Sequence, residues 1–413
     1  YRELCSMRFH EKPQAEGHYT IYDFGKTYSG KLQVKLEVKE DVNLWAIYDD
    51  LLIDGQVYFG REQIIHGLKW SLKRGSYMLT SAEVYTMRYL CLVSDMPISD
   101  VSVSLLRIEN PVKKELHFGD EALQLIYDAA QNTFVQNAYD LYTDCPSRER
   151  AGWLCDSYFT ARAEWFYTGD NVVEQNFLEN YLLYEGTEFT HPGILPCCFP
   201  ATPKSEDDFI PNWILWFLVE LRDYVKRTGN TAYAEKFHGK IREILSYFQQ
   251  FEDAHGFLEN LRGWVFLEWS QANDFMRDVN FPSNMLYYGA LRSAGELLDD
   301  STLTDKAEEL RENILQFSFD GEFFYDNAIW EDGVLVRTEN ISETCQYFAA
   351  FFDIITEKEA FVDRLAHIFS PFAERPERFC AAPMFIGYVL RLFLLFDTGE
   401  NERLLRECKE KFL

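Results

Sequence analysis

Thirteen consecutive residues, 144–156, read Asp-Cys-Pro-Ser-Arg-Glu-Arg-Ala-Gly-Trp-Leu-Cys-Asp. They put three carboxylates (Asp144, Glu149, Asp156), two guanidiniums (Arg148, Arg150) and an indole (Trp153) into one connection between helical segments, with Pro146 and Gly152 as breakers. This set would make a poor solvated helix face and would be costly to bury by accident. It suits a polyhydroxylated ring: carboxylates accept hydrogen bonds from hydroxyls at the ring edge, and an indole offers a flat surface to the apolar C–H face of a pyranose. The bland alternative is a charged surface loop held by an Arg–Glu pair.

Two further long connections carry related residues. One, 186–211, contains His191-Pro192-Gly193, the adjacent Cys197 and Cys198, and Glu206-Asp207-Asp208, and it leads into Trp213. The other, 263–282, interleaves Trp264, Glu268, Trp269, Asn273 and Asp274. Trp213 and Trp269 are candidate ring-stacking platforms, and Glu268 or Asp274 candidate hydroxyl acceptors. Each Trp has ordinary core burial as its competing explanation. Long connections in compact domains usually carry function, which is why these three are singled out.

The elements that must position these loops are legible from hydrophobic periodicity. Between about 19 and 109 the period is two, most clearly where Leu32, Val34, Leu36 and Val38 alternate with Gln33, Lys35 and Glu37. Short strands with turns such as Asp54-Gly55 between them predict an antiparallel β-sandwich. After Asn110-Pro111 the period becomes helical, with about eleven segments near 121–137, 157–168, 172–185, 209–227, 232–251, 283–298, 305–317, 342–355, 358–369, 382–396 and 401–412. Gly169-Asp170 and Gly229-Asn230 end two of them and lead directly into the next. Stacked αα-hairpins follow, and six in a ring would make an (α/α)6 toroid. An α-solenoid would need a fixed repeat length that these spacings lack. The expected domains are a sheet domain at 1–112 and a helical barrel at 113–413.

Composition narrows the ligand. The 413 residues hold 67 acidic and 40 basic side chains, a net charge of −27, which disfavours nucleic acid as a partner. An apolar fraction of 47% excludes disorder, and the aromatic fraction of 16% fits either a bulky core or a sugar site. The longest apolar stretch, 380–396, is interrupted by Arg391 and is too short to span a bilayer, so it reads as a buried core helix. Nine cysteines without a CxxC pair, and eight histidines without HxH or HxxxH spacing, predict buried thiols, no metal and no cofactor.

Residues 144–156 resemble the signature of the α-L-rhamnosidases of glycoside hydrolase family 78, which commonly read Asp-Cys-Pro-x-Arg-Asp-Glu-Arg-x-Gly-Trp-x-Gly-Asp. This sequence has one residue fewer before the glutamate, and Cys155 in place of the second glycine. The resemblance extends over most of the chain, from Tyr22-Asp23-Phe24-Gly25 to Phe385-Ile386-Gly387. It implies inverting hydrolysis of terminal α-L-rhamnosides in a rhamnose-containing carbohydrate. Glu149 would be the general acid, Asp144 and Asp156 would hold sugar hydroxyls with Arg148 in support, and Trp153 would line the pocket. The family's general base lies in a Gly-Thr-x-x-Trp-Glu type segment, which does not occur here. Glu268 and Glu343 lack a matching context as substitutes. The chain is therefore expected to be a fragment cut at both ends, short of the last barrel helix, with little hydrolytic turnover. The alternatives are a six-hairpin glycosidase for another sugar, an inactive sugar-binding homologue, and a helical interaction scaffold. Compartment and oligomeric state stay open.

Overall fold

The computed structural model describes residues 18–61, 64–107, 112–188, 190–201, 203–366 and 383–413. Two compact units emerge: one of residues 1–113 and 131–151, the other of 114–130 and 152–413. The change of hydrophobic period predicts a single boundary at 112–113. The Asn110-Pro111 step lies outside the described residues.

The first unit is built on β1 (His18–Val38), β2 (Val42–Asp49), β3 (Gly67–Leu72), β4 (Gly75–Thr80), β5 (Tyr85–Ser94) and β6 (Ser99–Leu106), all antiparallel. β1 is 21 residues long. Its pairing with β5 shifts register between Asp23 and Tyr28, and beyond this point β1 also pairs β4 on one side and β6 on the other. The expected sandwich is therefore replaced by one curled six-stranded antiparallel sheet, in which the single bulged strand β1 pairs with the strands of both halves, beside a two-residue ladder of Leu52–Ile53 with Gln56–Val57. The period-two row holds: Leu32, Val34, Leu36 and Val38 are buried, and they pack with Leu44, Tyr48, Met87 and Leu92 inside the curl. Each such side chain contributes roughly 1.5–3 kcal/mol of apolar burial.

The second unit is helical. Its helices of nine residues or more, among the described residues, are α1 (Glu121–Asn137, whose second half belongs to the first unit), α2 (Asp156–Thr168), α3 (Val172–Leu182), α4 (Pro211–Thr228), α5 (His238–Gln249), α6 (Phe281–Leu298), α7 (Ser301–Ser318), α8 (Glu343–Phe351), α9 (Lys358–Ala366), α10 (Ile386–Asp397) and α11 (Asn401–Phe412), with a single helical turn at Thr231–Ala234 before α5. Each corresponds to one of the eleven periodic segments, although 367–369 and 382 fall outside the described residues. The most enclosed helices are α4, α6 and α8. α4 buries every residue from Pro211 to Leu221, and α6 buries most of its length, whereas α7 buries only Ala307, Leu310, Ile314 and Ser318. An all-round apolar helix must be enclosed, and an amphipathic one must face solvent on one side. In sequence order α2 packs on α4, α4 on α6, α6 on α8, and α8 on α10. Gly169 and Gly229 close α2 and α4 in the left-handed region, as the Gly-Asp and Gly-Asn steps predict. Long connections precede α2, α4, α6 and α8, so every candidate residue sits at or just before the N-terminus of an even-numbered helix.

Candidate active site

Asp144, Arg148 and Glu149 belong to the sheet unit. Their loop is closed by a reciprocal pair: the Asp144 N–H donates to the Ala151 carbonyl, and the Ala151 N–H donates to Asp144 Oδ1, both at 3.0 Å. The loop is also fastened to the sheet. Thr86 Oγ1 donates to the Pro146 carbonyl at 2.6 Å, and the Arg150 guanidinium donates to the Val84 carbonyl at 2.8 Å and to Glu83 at 3.1 Å. Arg150 also lies over the Tyr85 ring. Between these anchors the tip carries Arg148 and Glu149, whose side chains pair with each other. The Glu149 side chain remains 35% exposed, and its N–H donates to Cys145 Sγ at 3.2 Å. Burial pushes the Cys145 thiol up, while the N–H donation from Glu149 opposes that shift. The first half of the candidate loop is thus a rigid hairpin-like turn with one carboxylate and one guanidinium at its tip.

Trp153, Asp156, Trp213, Glu268 and Trp269 belong to the helical unit. Gly152–Trp153 forms a two-residue antiparallel ladder with Cys198–Phe199, the Tyr181 hydroxyl donates to the Gly152 carbonyl at 2.8 Å, and the Leu154 N–H donates to the Cys197 carbonyl at 3.0 Å. This holds Trp153 half-buried, with an indole N–H that has no partner among the described residues. Asp156 opens α2 directly after Cys155, whose φ of 72° turns the chain into the helix. A carboxylate in a helix's first turn is favoured by the helix dipole.

The loop before α6 separates residues that adjoin in sequence. Trp269 is 64% exposed and Trp264 46% exposed, with ring centroids 5.7 Å apart, and both rest on the buried Phe266 ring at 4.8 and 4.7 Å. They make an open aromatic face. Trp213 is different: it is 3% exposed and packs edge-on against Phe266 at 5.2 Å, so its ring belongs to the core and is corrected as a stacking platform. Glu268 is also corrected. Its side chain is fully buried and already accepts hydrogen bonds from Ser270 Oγ (2.7 Å), Thr344 Oγ1, and the N–H groups of Met384 (3.3 Å), Phe385 (3.1 Å) and Gly387 (3.0 Å). No acceptor capacity is left for a sugar hydroxyl. Glu343, weighed as a substitute base, is buried against the Tyr347 hydroxyl and the Arg391 guanidinium. Trp264 is the residue for which sequence reasoning assigned no role. Its signal was its place five residues before Trp269.

Other buried carboxyls in this unit are held toward their neutral forms. Burial raises Asp326 to about 7, the nearby Glu268 adds to the shift, and hydrogen bonds from Ser342 oppose it. Burial likewise raises Glu220 well above the usual carboxylate range, with Ser157 donating to it at 2.5 Å. Among the described residues no group of three or more His, Cys, Asp or Glu side chains could hold a metal ion, and no helix is long and apolar enough to cross a membrane.

The fold has counterparts among known proteins. The rhamnosidase of glycoside hydrolase family 78 from Bacillus sp. GL1 superposes with a TM-score of 0.80 at 21% identity, over 97% of this chain and 42% of that one. A rhamnosidase from Klebsiella oxytoca with rhamnose bound gives 0.76 at 15% identity, over 98% and 80%. The Streptomyces avermitilis α-L-rhamnosidase complexed with L-rhamnose gives 0.65 at 16%, over 92% and 36%. At these identities the likeness is one of fold, and the chain spans less than half the length of the Bacillus protein. No curated protein matches by sequence. The profile of the bacterial α-L-rhamnosidase six-hairpin glycosidase domain matches residues 115–404, well over half of the chain. The chain therefore belongs to the bacterial α-L-rhamnosidase six-hairpin glycosidase domain family.

Proposed function

We propose that this chain is a glycoside hydrolase domain that removes terminal α-L-rhamnose from oligosaccharides or glycosides with inversion. The observation that carries the reading is the 144–151 loop, where a single half-exposed carboxyl, Glu149, stands at the tip of a turn braced by its own backbone and by the sheet. A general acid must be held in place and yet reach substrate, and this loop meets both needs. In this reading Glu149 gives its proton to the departing glycosidic oxygen as the bond to the anomeric carbon breaks. Arg148, Asp144 and Asp156 hold ring hydroxyls, and Trp153 and Trp269 line the sugar. Rhamnose is favoured because two of the structural relatives hold it. The packing of each even-numbered helix on the next, and the ion pair of Lys409 on α11 with Asp120 just before α1, support an (α/α)6 ring as the scaffold.

One observation favours a second reading, a sugar-binding homologue without turnover. Inversion requires a second carboxylate about 6.5–9.5 Å from the acid to activate water, and Glu268 and Glu343 are both consumed by internal bonds. The test is hydrolysis of 4-nitrophenyl α-L-rhamnopyranoside by wild type and Glu149→Gln, beside a panel of other aryl glycosides. Turnover lost in the variant, with L-rhamnose binding retained and the β-anomer released first, supports the proposal. Equal turnover in both proteins would falsify the assignment of Glu149. Preference for another glycoside would reassign the sugar, and binding without hydrolysis by wild type would favour the second reading.

A further inference from the structure

We propose that Glu268 is a positioning residue: it fastens the aromatic loop carrying Trp264 and Trp269 to the first turn of α10 and to Thr344 on α8, and so sets where a sugar ring can stack. This rests on the reading of Trp269 as a sugar-stacking residue. The geometry is that of a three-way joint. Glu268 Oε1 accepts from Ser270 within its own loop and from Thr344, while Oε2 accepts the N–H groups of Met384, Phe385 and Gly387. Those three N–H groups stand at the entry of α10, where the positive end of the helix dipole favours an anion, so a carboxylate from 116–119 residues earlier caps the helix.

The joint is built to admit that carboxylate. A Cβ at Gly387 would lie 2.8 Å from Thr344 Oγ1 and 3.1 Å from each Glu268 oxygen, so a larger residue there would press directly on it. Trp269 follows Glu268 by one peptide, with Cα atoms about 3.8 Å apart. Fixing the buried carboxylate therefore limits how far the exposed indole can move. The loop has a second anchor at its start, where the Trp264 N–H donates to the Phe209 carbonyl at 2.9 Å, and an internal tie from the Leu267 N–H to Asn273 Oδ1 at 2.8 Å, so the Trp269 end depends most on Glu268. Glutamine in place of Glu268 would keep the shape but turn an N–H₂ group toward donors, breaking the joint without emptying the space.

The test is L-rhamnose affinity, read by tryptophan fluorescence titration and requiring no turnover, for wild type, Glu268→Gln, Trp269→Ala and the double variant. Amide hydrogen exchange is followed at Met384, Phe385 and Gly387. The expected results are a roughly tenfold or greater loss of affinity in Glu268→Gln, faster exchange at those three amides with α4 and α6 unchanged, and a double variant no weaker than Trp269→Ala alone. A purely stabilising role would lower the melting temperature and leave affinity unchanged, and that outcome overturns the proposal. So do losses that multiply in the double variant. Wild-type affinity in Trp269→Ala would instead show that the stacking reading had failed, taking the proposal with it. Should Glu268→Gln not fold, Gly387→Ala presses the same joint from the helix side, and unchanged affinity there also overturns it.

Discussion

Arg391 interrupts the longest apolar stretch of the chain, and replacing it with Met should be among the most damaging single changes in the helical unit. Its side chain is nearly inaccessible, with residue exposure of 2%. Nε and Nη2 donate to Glu407 at 2.8 and 2.7 Å, and Nη1 donates to Glu343 at 3.3 Å and to the Tyr347 hydroxyl at 3.0 Å. One guanidinium thus joins α10 to both α8 and α11. Met fills much of the volume, so little of the cost is a cavity. The cost comes from two buried carboxylates that lose the guanidinium, Glu407 keeping a contact from Arg403 Nε at 3.1 Å and Glu343 keeping the Tyr347 hydroxyl. Breaking a buried pair by removing one partner costs about 3–5 kcal/mol, a large part of the roughly 5–15 kcal/mol that stabilises a typical domain. For a unit of this size that is a fall in Tm of roughly 6–20 °C. Urea unfolding followed by far-UV circular dichroism measures the loss, and Glu407→Gln with the double variant completes the cycle. The double variant should be less unstable than the sum of the singles, because the orphaned charge is gone. A loss below about 1 kcal/mol for Arg391→Met, or simple additivity, would refute the reasoning.

Other consequences can be checked in the same way. Asp326 is raised to about 7 in the fold, so its contribution is fully present below the ordinary carboxylate range and is lost as pH rises through about 7. Asp326→Asn removes this dependence, so its stability relative to wild type should improve by an amount on the order of a few kcal/mol between pH 4 and pH 8. A pH-independent difference in denaturation midpoints would contradict it. Trp213→Ala should cost about 3–5 kcal/mol in unfolding experiments as a core truncation, whereas the exposed Trp269→Ala should lose rhamnose affinity with little change in Tm. The reverse pattern would exchange their roles. Arg150→Ala releases the candidate acid loop from Val84 and Glu83, and we expect about 1–2 kcal/mol of destabilisation with a larger fall in rhamnoside turnover than in rhamnose binding. Equal falls in both would count against the loop as an acid-positioning device.

Much of the architecture was legible because it depends on local periodicity. The row Leu32, Val34, Leu36, Val38 and the eleven helical segments report which side of each element is apolar, and a short-range pattern is enough for that. The curl of the sheet was not legible, since alternation looks the same whether two layers are separate or share one strand bent at Asp23–Tyr28. The candidate loop was legible as a cluster of chemistry, but its bracing by Thr86 and by Arg150 on Glu83 and Val84 was not. Those contacts join residues 60 to 67 positions apart.

By itself, then, the sequence determined the two kinds of secondary structure, the order of the helices and the residues 144–156 where chemistry concentrates, because hydrophobic period and residue type are local properties. Tertiary structure alone decided which of the candidate side chains face solvent. Glu268 and Trp269 are adjacent in the chain, yet one is buried beneath five hydrogen-bond donors and the other stands open. The donors that claim the carboxylate, other than Ser270, come from 76 to 119 residues further along, and their convergence is a property of how α8 and α10 pack. A buried charge is tolerated only where such partners meet it.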